Sequence, residues 1–188
     1  MGLAFNVGTR KGLFAVTKTG GSWKIHPPHF LGEPVSMLLT NPYSGDSFAS
    51  LNLGHFGVKL YRKDAGSEEW QEITAPAFPA VESDDGPSVA QIWEMVPVGA
   101  DKPDALWAGT IPGGLFYSED RGDSWSLVES LWNRPEREFW FGGGAHCGII
   151  GNAKYTGEGW RYEHNMDAED PRRRCAVNIT AKNEFIIF

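Results

Sequence analysis

Two glutamates, Glu94 and Glu138, are the residues of this chain best suited by type to carry chemistry. Hydrolysis of a glycosidic bond needs two carboxylates roughly 5–9 Å apart, one to protonate the leaving oxygen and one to attack or to activate water. Glu94 lies inside the apolar stretch 92–98, where a charge is costly unless it is used or paired. Glu138 stands in the run Asn-Arg-Pro-Glu-Arg-Glu-Phe-Trp at 133–140. Other residues have the chemistry to hold an acidic sugar. Arg10 and Arg137 have forked guanidinium groups that match a carboxylate. Lys11 and His55 add polar donors, and the ring of Trp140 is a plate for stacking. Glu94 and Glu138 are therefore candidate catalytic residues, and Arg10, Lys11, His55, Arg137 and Trp140 candidate substrate-binding residues. Each charged loop residue also fits an ordinary solvated turn.

The elements that must position these groups are short strands. Apolar and β-branched stretches at 3–7, 12–17 and 23–26 are followed by the break His26-Pro-Pro-His29, which cannot donate to a ladder. A set of four follows at 35–40, 47–53, 58–62 and 70–73, and another at 92–98, 105–108, 115–118 and 125–128. Residues 1–130 contain no persuasive helical period. The sets repeat: Gly8-Thr-Arg-Lys-Gly-Leu-Phe14, Gly54-His-Phe-Gly-Val-Lys-Leu60 and Gly109-Thr-Ile-Pro-Gly-Gly-Leu-Phe116 each precede a polar turn and a Trp. Trp23, Trp70 and Trp125 are spaced by 47 and 55 residues, close to the spacing of propeller blades and far from helical repeats.

The third turn carries the sharpest motif, Ser118-Glu-Asp-Arg-Gly-Asp-Ser-Trp125. Asp120 can accept backbone N–H groups two or three residues on, Gly122 can take a positive φ, Ser124 can add a local bond, and Trp125 can start a strand. The stretch resembles the Asp-box of the bacterial neuraminidase repeat (BNR) family. Over residues 3–144 the chain is similar to sialidase-like BNR/YVTN/WD40-type proteins, often labelled glycosyl hydrolases or exo-α-sialidases. That resemblance implies an all-β fold of antiparallel four-stranded blades forming part of a β-propeller, with Ser118, Asp120, Gly122, Ser124 and Trp125 in a structural role. It transfers no sialidase catalytic residue, since Thr110-Ile-Pro112 lacks the arginine of the family's early motif. With blade strands lettered A to D from the axis outwards, the B–C and D–A loops share one face around the channel mouth. Arg10, Lys11, His55 and the 133–140 run fall there, and the 118–125 turn falls on the other face.

The expected domains are a partial propeller of about three blades at 1–144 and a divergent tail at 145–188 that reads as a degenerate blade. Trp160 marks the end of its box, and strands are expected at 176–180 and 184–188, the latter pairing with a sheet edge. Propellers close with 4–8 blades, so 188 residues are too few for a ring. Three explanations stand: a part of a longer protein, an altered gene product such as an internal deletion, or a subunit that completes a ring with other copies. Made alone, the chain is expected to self-associate, bind a second chain or aggregate.

A net charge of −7 argues against a general nucleic-acid binder. No apolar run approaches membrane-spanning length, and the start reads as a strand rather than a signal peptide. Cys147 and Cys175 have no motif spacing, which points to free thiols and a cytoplasmic setting. His26-x-x-His29 is held extended by its prolines and His146-Cys147 has no partner at ligand spacing, so neither a metal nor a cofactor is expected. The function expected is a sialidase-like carbohydrate-processing propeller with its site on the B–C and D–A loop face. The alternative is a non-catalytic binding or assembly propeller. In either case the ligand is a carbohydrate or another small acidic molecule.

Overall fold

The computed structural model describes residues 3–80 and 86–135 in full, and the backbone of 152–155, 160–163, 177–180 and 184–187. The fold is all-β, with antiparallel blade-like sheets in sequence. Blade 1 contains β1 (Leu3–Thr9), β2 (Gly12–Thr19) and β3 (Ser22–Ile25). Blade 2 is β4 (Val35–Thr40), β5 (Ser47–Asn52), β6 (Val58–Lys63) and β7 (Gln71–Ile73), in that spatial order. Blade 3 is β8 (Gln91–Gly99), β9 (Lys102–Ile111), β10 (Leu115–Ser118) and β11 (Ser126–Leu127), again a meander. A single helical turn, α1 (Glu129–Trp132), follows it.

Successive side chains of a strand point to opposite faces, and the middle blade uses both. Met37, Phe48 and Leu60 of blade 2 join Ile92, Met95, Leu106, Ala108 and Phe116 of blade 3 in one buried cluster. Their neighbours Leu38 and Ala49, with Val35 and Leu51, pack against Leu13 of blade 1 in a second. This is why β4 and β5 are each buried over four consecutive residues instead of alternating. Gly8 supports the close approach of blades 1 and 2, since a Cβ there would lie 3.0 Å from Val35.

Each blade thus has a leading face toward the preceding blade and a trailing face toward the next. Trp23 is the second residue of β3, and Trp70 and Trp125 immediately precede β7 and β11. Strand pairing puts all three on leading faces. Trp70 meets Phe30 from the end of blade 1, ring centroids 5.4 Å apart. Trp125 donates its indole N–H to the carbonyl of Thr74 at the end of blade 2, at 3.0 Å. Trp23 has no preceding blade to meet among the described residues, and is 52% exposed.

The tail contributes a hairpin of β12 (Asn152–Tyr155) and β13 (Trp160–Glu163), and a second of β14 (Val177–Thr180) and β15 (Glu184–Ile187). As expected, the last strand pairs with a sheet edge: β15 lies beside β1, filling the inner position that blade 1 lacks. It does so in parallel, with Val7 opposite Phe185. Everywhere else the inner pair of a blade is antiparallel, so this junction departs from the uniformly antiparallel pattern expected from the sequence.

Candidate functional site

At the end formed by the A–B and C–D connections, the 118–125 turn folds around its own side chains. Ser118 Oγ donates to Asp120 Oδ1 at 2.8 Å and accepts the N–H of Gly122 at 2.9 Å. Asp120 Oδ1 accepts the N–H of Ser124 at 2.9 Å, and the Ser124 hydroxyl donates to Oδ2. The carboxylate reaches four residues along, farther than the two or three expected, because two residues are left-handed: Gly122 at φ 85° and Arg121 at φ 63°. Burial pushes the Asp120 carboxyl up, but the bonds from Ser124 and Ser118 outweigh it and hold it below its ordinary value.

The left-handed turn at Arg121 aims its guanidinium at blade 2. Its Nε donates to Asp46 Oδ2 at 2.8 Å and its Nη2 to Asp46 Oδ1 at 3.0 Å, and Nη2 also pairs with Asp64. Arg62, a buried residue of β6, donates to Asp123 Oδ1 at 2.8 Å, to the Arg121 carbonyl at 2.9 Å and to Asp64 Oδ1 at 3.0 Å. Asn41 Nδ2 donates to the Pro103 carbonyl at 2.8 Å. Desolvation raises the Asp46 carboxyl, but the Arg121 bonds, the Ala65 N–H and Ser44 together bring it below its usual range. Arg62 and Arg121, with Asp46, Asp64 and Asp123, clamp blade 3 to blade 2. None of this lattice was expected from the sequence. Its one legible signal was Arg62: alternation from Leu60 places it on a buried face, where a charge needs partners.

At the opposite end, Thr9 Oγ1 donates to the Gly12 carbonyl at 2.9 Å and accepts the Lys11 N–H at 3.0 Å, which closes the β1–β2 turn. The Gly32 N–H donates to the Lys11 carbonyl at 3.1 Å, bracing that turn against the blade 1–2 crossover. Arg10 and Lys11 project from it, both exposed. The β5–β6 connection, a short 3₁₀ turn at Gly54–Phe56, presents His55 with its ring 4.2 Å from that of Phe56, which is 74% exposed. Blade topology brings Arg10, Lys11 and His55 to the same end, as expected.

Glu94 sits at a bulge in β8, half-buried, opposite Gly109. Its place in the ladder is shared with Val96 and Trp107, on the trailing face of blade 3. Glu138, Arg137 and Trp140 lie outside the described residues, as do Cys147 and Cys175. Sequence reasoning missed a cleft of about 470 Å³ between the two crossovers that leave blades 2 and 3. Phe78, Pro79, Pro87 and Trp132 line it with Glu129 at its rim, and the rings of Phe78 and Trp132 lie 4.5 Å apart. The pairing of Phe78 with Trp132 has no local signature in the sequence. Among the described residues no cluster of His, Cys, Asp and Glu is arranged to hold a metal ion, and no helix is long and apolar enough to cross a membrane.

No family model matches the chain, and no curated protein does. A solved structure described as "YCF48 bound to D1 peptide" is similar to it at 13% identity, with a TM-score of 0.40 and 66% of this chain covered. The match takes in 36% of that structure, so the chain spans little more than a third of its length. The class defined by the sheets themselves is a β-propeller-like repeat protein.

Proposed function

We propose that this chain is a ligand-binding propeller of the BNR/Asp-box type, in which the 118–125 turn serves the scaffold and the B–C end serves recognition. The ligand is a carbohydrate or another small molecule bearing a carboxylate. The observation that carries this reading is the contrast between the arginines of the two ends. Arg62 and Arg121 are engaged in ion pairs within the scaffold, while Arg10 and Lys11 make no ion pair among the described residues and stand exposed on a braced turn. Exposed cations at the same end as an exposed aromatic ring, Phe56, suit a planar anionic ligand. Titration of the protein with sialic acid and simple sugar acids, followed by calorimetry, tests it. Binding that weakens in Arg10→Ala supports the reading, and binding indifferent to Arg10→Ala and Lys11→Ala overturns it.

A second reading, a sialidase-like glycoside hydrolase, is favoured by one observation: Glu94 is a half-buried carboxylate on an inner strand, where a charge is costly unless it is used or paired. In that reading Glu94 and Glu138 share acid and nucleophile or base roles, and Arg137 and Trp140 complete the substrate cradle. Hydrolysis of aryl glycosides, including a sialoside, that disappears in Glu94→Gln or Glu138→Gln is the result that favours it.

A further inference from the structure

The cleft between the crossovers that leave blades 2 and 3 combines a fixed aromatic floor with one acidic wall. Phe78, 8% exposed, stands edge-on to Phe116 at 5.3 Å. Gly114 makes room for it, since a Cβ there would lie 2.9 Å from Phe78 Cε1. The Trp132 ring lies against Phe78 at 4.5 Å, with the two planes 35° apart. The helical turn α1 is closed by the Asn133 N–H, which donates to the Glu129 carbonyl at 2.8 Å. Positions three and four apart on such a turn share a face. The carboxylate of Glu129 and the amide of Asn133 therefore accompany the indole of Trp132, and all three residues line the cleft. No Lys, Arg or His is among the described residues that line it. Glu129 is exposed and makes no ion pair among the described residues.

We propose that this cleft binds a small free organic cation of the alkylammonium class, with its charged head held between the Trp132 ring and the Glu129 carboxylate. Three properties select that class. The face of an aromatic ring is electrically negative, and indole is the best of the aromatic side chains at attracting an ammonium group. Glu129 supplies the complementary full charge, with no described basic residue on the lining to oppose it. The apolar floor at Phe78 suits the methyl or methylene groups that surround the nitrogen, and Asn133 can hydrogen-bond a hydroxyl or carbonyl elsewhere on the ligand. The volume of about 470 Å³ falls among small-molecule sites, which run to about 300–1,000 Å³. A net charge of −7 favours the approach of cations to the whole protein. A sugar acid is repelled by the same carboxylate, so this site is separate from the cationic B–C end and does not depend on the reading proposed for it.

The test titrates the full chain with choline and with dimethylbutanol, its neutral analogue in which carbon replaces the nitrogen. The readout is the indole N–H signal of Trp132 in nuclear magnetic resonance spectra, identified by its loss in Trp132→Phe. Choline should shift that signal saturably, and the neutral analogue should bind more weakly. Glu129→Gln keeps the shape of the wall and removes its charge, so choline affinity should fall about threefold to fivefold, the scale of a partly exposed ion pair. Glu68→Gln, which removes an exposed acid from the turn before Trp70, should leave choline affinity unchanged. Circular dichroism checks that each variant keeps its strand content. Equal affinity for choline and the neutral analogue overturns the proposal, because the cleft would then be merely apolar. An unshifted Trp132 signal overturns it as well. So does an equal loss in Glu68→Gln and Glu129→Gln, which would trace the binding to the overall negative charge.

Discussion

Arg121 grips Asp46 with two parallel hydrogen bonds, at 2.8 and 3.0 Å, across 75 residues of chain and the junction of two blades. The side chain of Asp46 is 3% exposed and that of Arg121 34%, so the acid is the buried partner and the arginine its cover. Losing the cover leaves a desolvated carboxylate with only the Ala65 N–H and the Ser44 hydroxyl. Breaking a fully buried pair costs about 3–5 kcal/mol, and partial exposure of Arg121 reduces this. Arg121→Ala should therefore destabilise the protein by about 2–3 kcal/mol, read as a lowered urea midpoint with an unchanged slope. A loss below about 0.5 kcal/mol would mean that the pair behaves like an ordinary surface bridge.

The same lattice sets the response to acid. Asp46 and Asp120 are both held below an ordinary carboxyl pKa of 3.8. The unfolded chain then binds protons that the folded chain does not, so stability falls as pH falls. The contribution is fully present above about pH 5, begins to fade near 3.8, and is gone once pH has passed below the folded values. Melting temperatures between pH 3 and pH 6 should trace this fall. Arg121→Gln removes the main influence lowering Asp46, so its curve should be shallower over the same window. Parallel curves for the two proteins would count against the assignment.

Gly122 combines a left-handed backbone with tight surroundings. Its φ is 85°, and a Cβ would stand 3.0 Å from Ile73 Cδ1 and 3.4 Å from the Trp125 ring. Gly66 has a similar φ of 78° and open space around it. Alanine at 66 should cost about 1 kcal/mol for the backbone alone. Alanine at 122 should cost about 2–3 kcal/mol, because Ile73 must also shift. Equal losses at the two sites would show that the blade 2–3 contact yields freely.

The blades were legible because their signals are local. Alternation marks strands, and turn residues such as Gly122 and Asn41-Pro42 mark where they end. The Trp spacing was legible as a repeat, since each Trp occupies the same place on a leading face. The Arg121–Asp46–Asp64–Arg62 lattice was not, because its pairs across the blade junction are 57 to 75 residues apart and join only when blades stack. The parallel placement of β15 beside β1 is likewise a matter of chain direction in space. At the B–C end, the sequence placed Arg10, Lys11 and His55 through loop order alone. It could not find the Phe78–Trp132 cleft, whose two rings come from different crossovers.

The last prediction separates binding from catalysis through residues at different places in the blades. Arg10 projects from the β1–β2 turn, and Glu94 lies inside β8 on the trailing face of blade 3. If the B–C end recognises an acidic sugar, Arg10→Ala removes one charge-assisted contact, and affinity for sialic acid should drop by about tenfold, near 1.4 kcal/mol. Arg10→Lys should recover only part of this, since an ammonium cannot fork onto a carboxylate. Glu94→Gln should leave that affinity within about twofold, because it neither projects from a loop nor changes side-chain volume. Rising salt should weaken binding by the unaltered protein and have little effect on the residual binding of Arg10→Ala. Turnover of an aryl sialoside that is lost in Glu94→Gln while sialic acid binding persists would move the assignment to the hydrolase reading. Affinity unchanged in Arg10→Ala and Lys11→Ala would remove the B–C end as the recognition face.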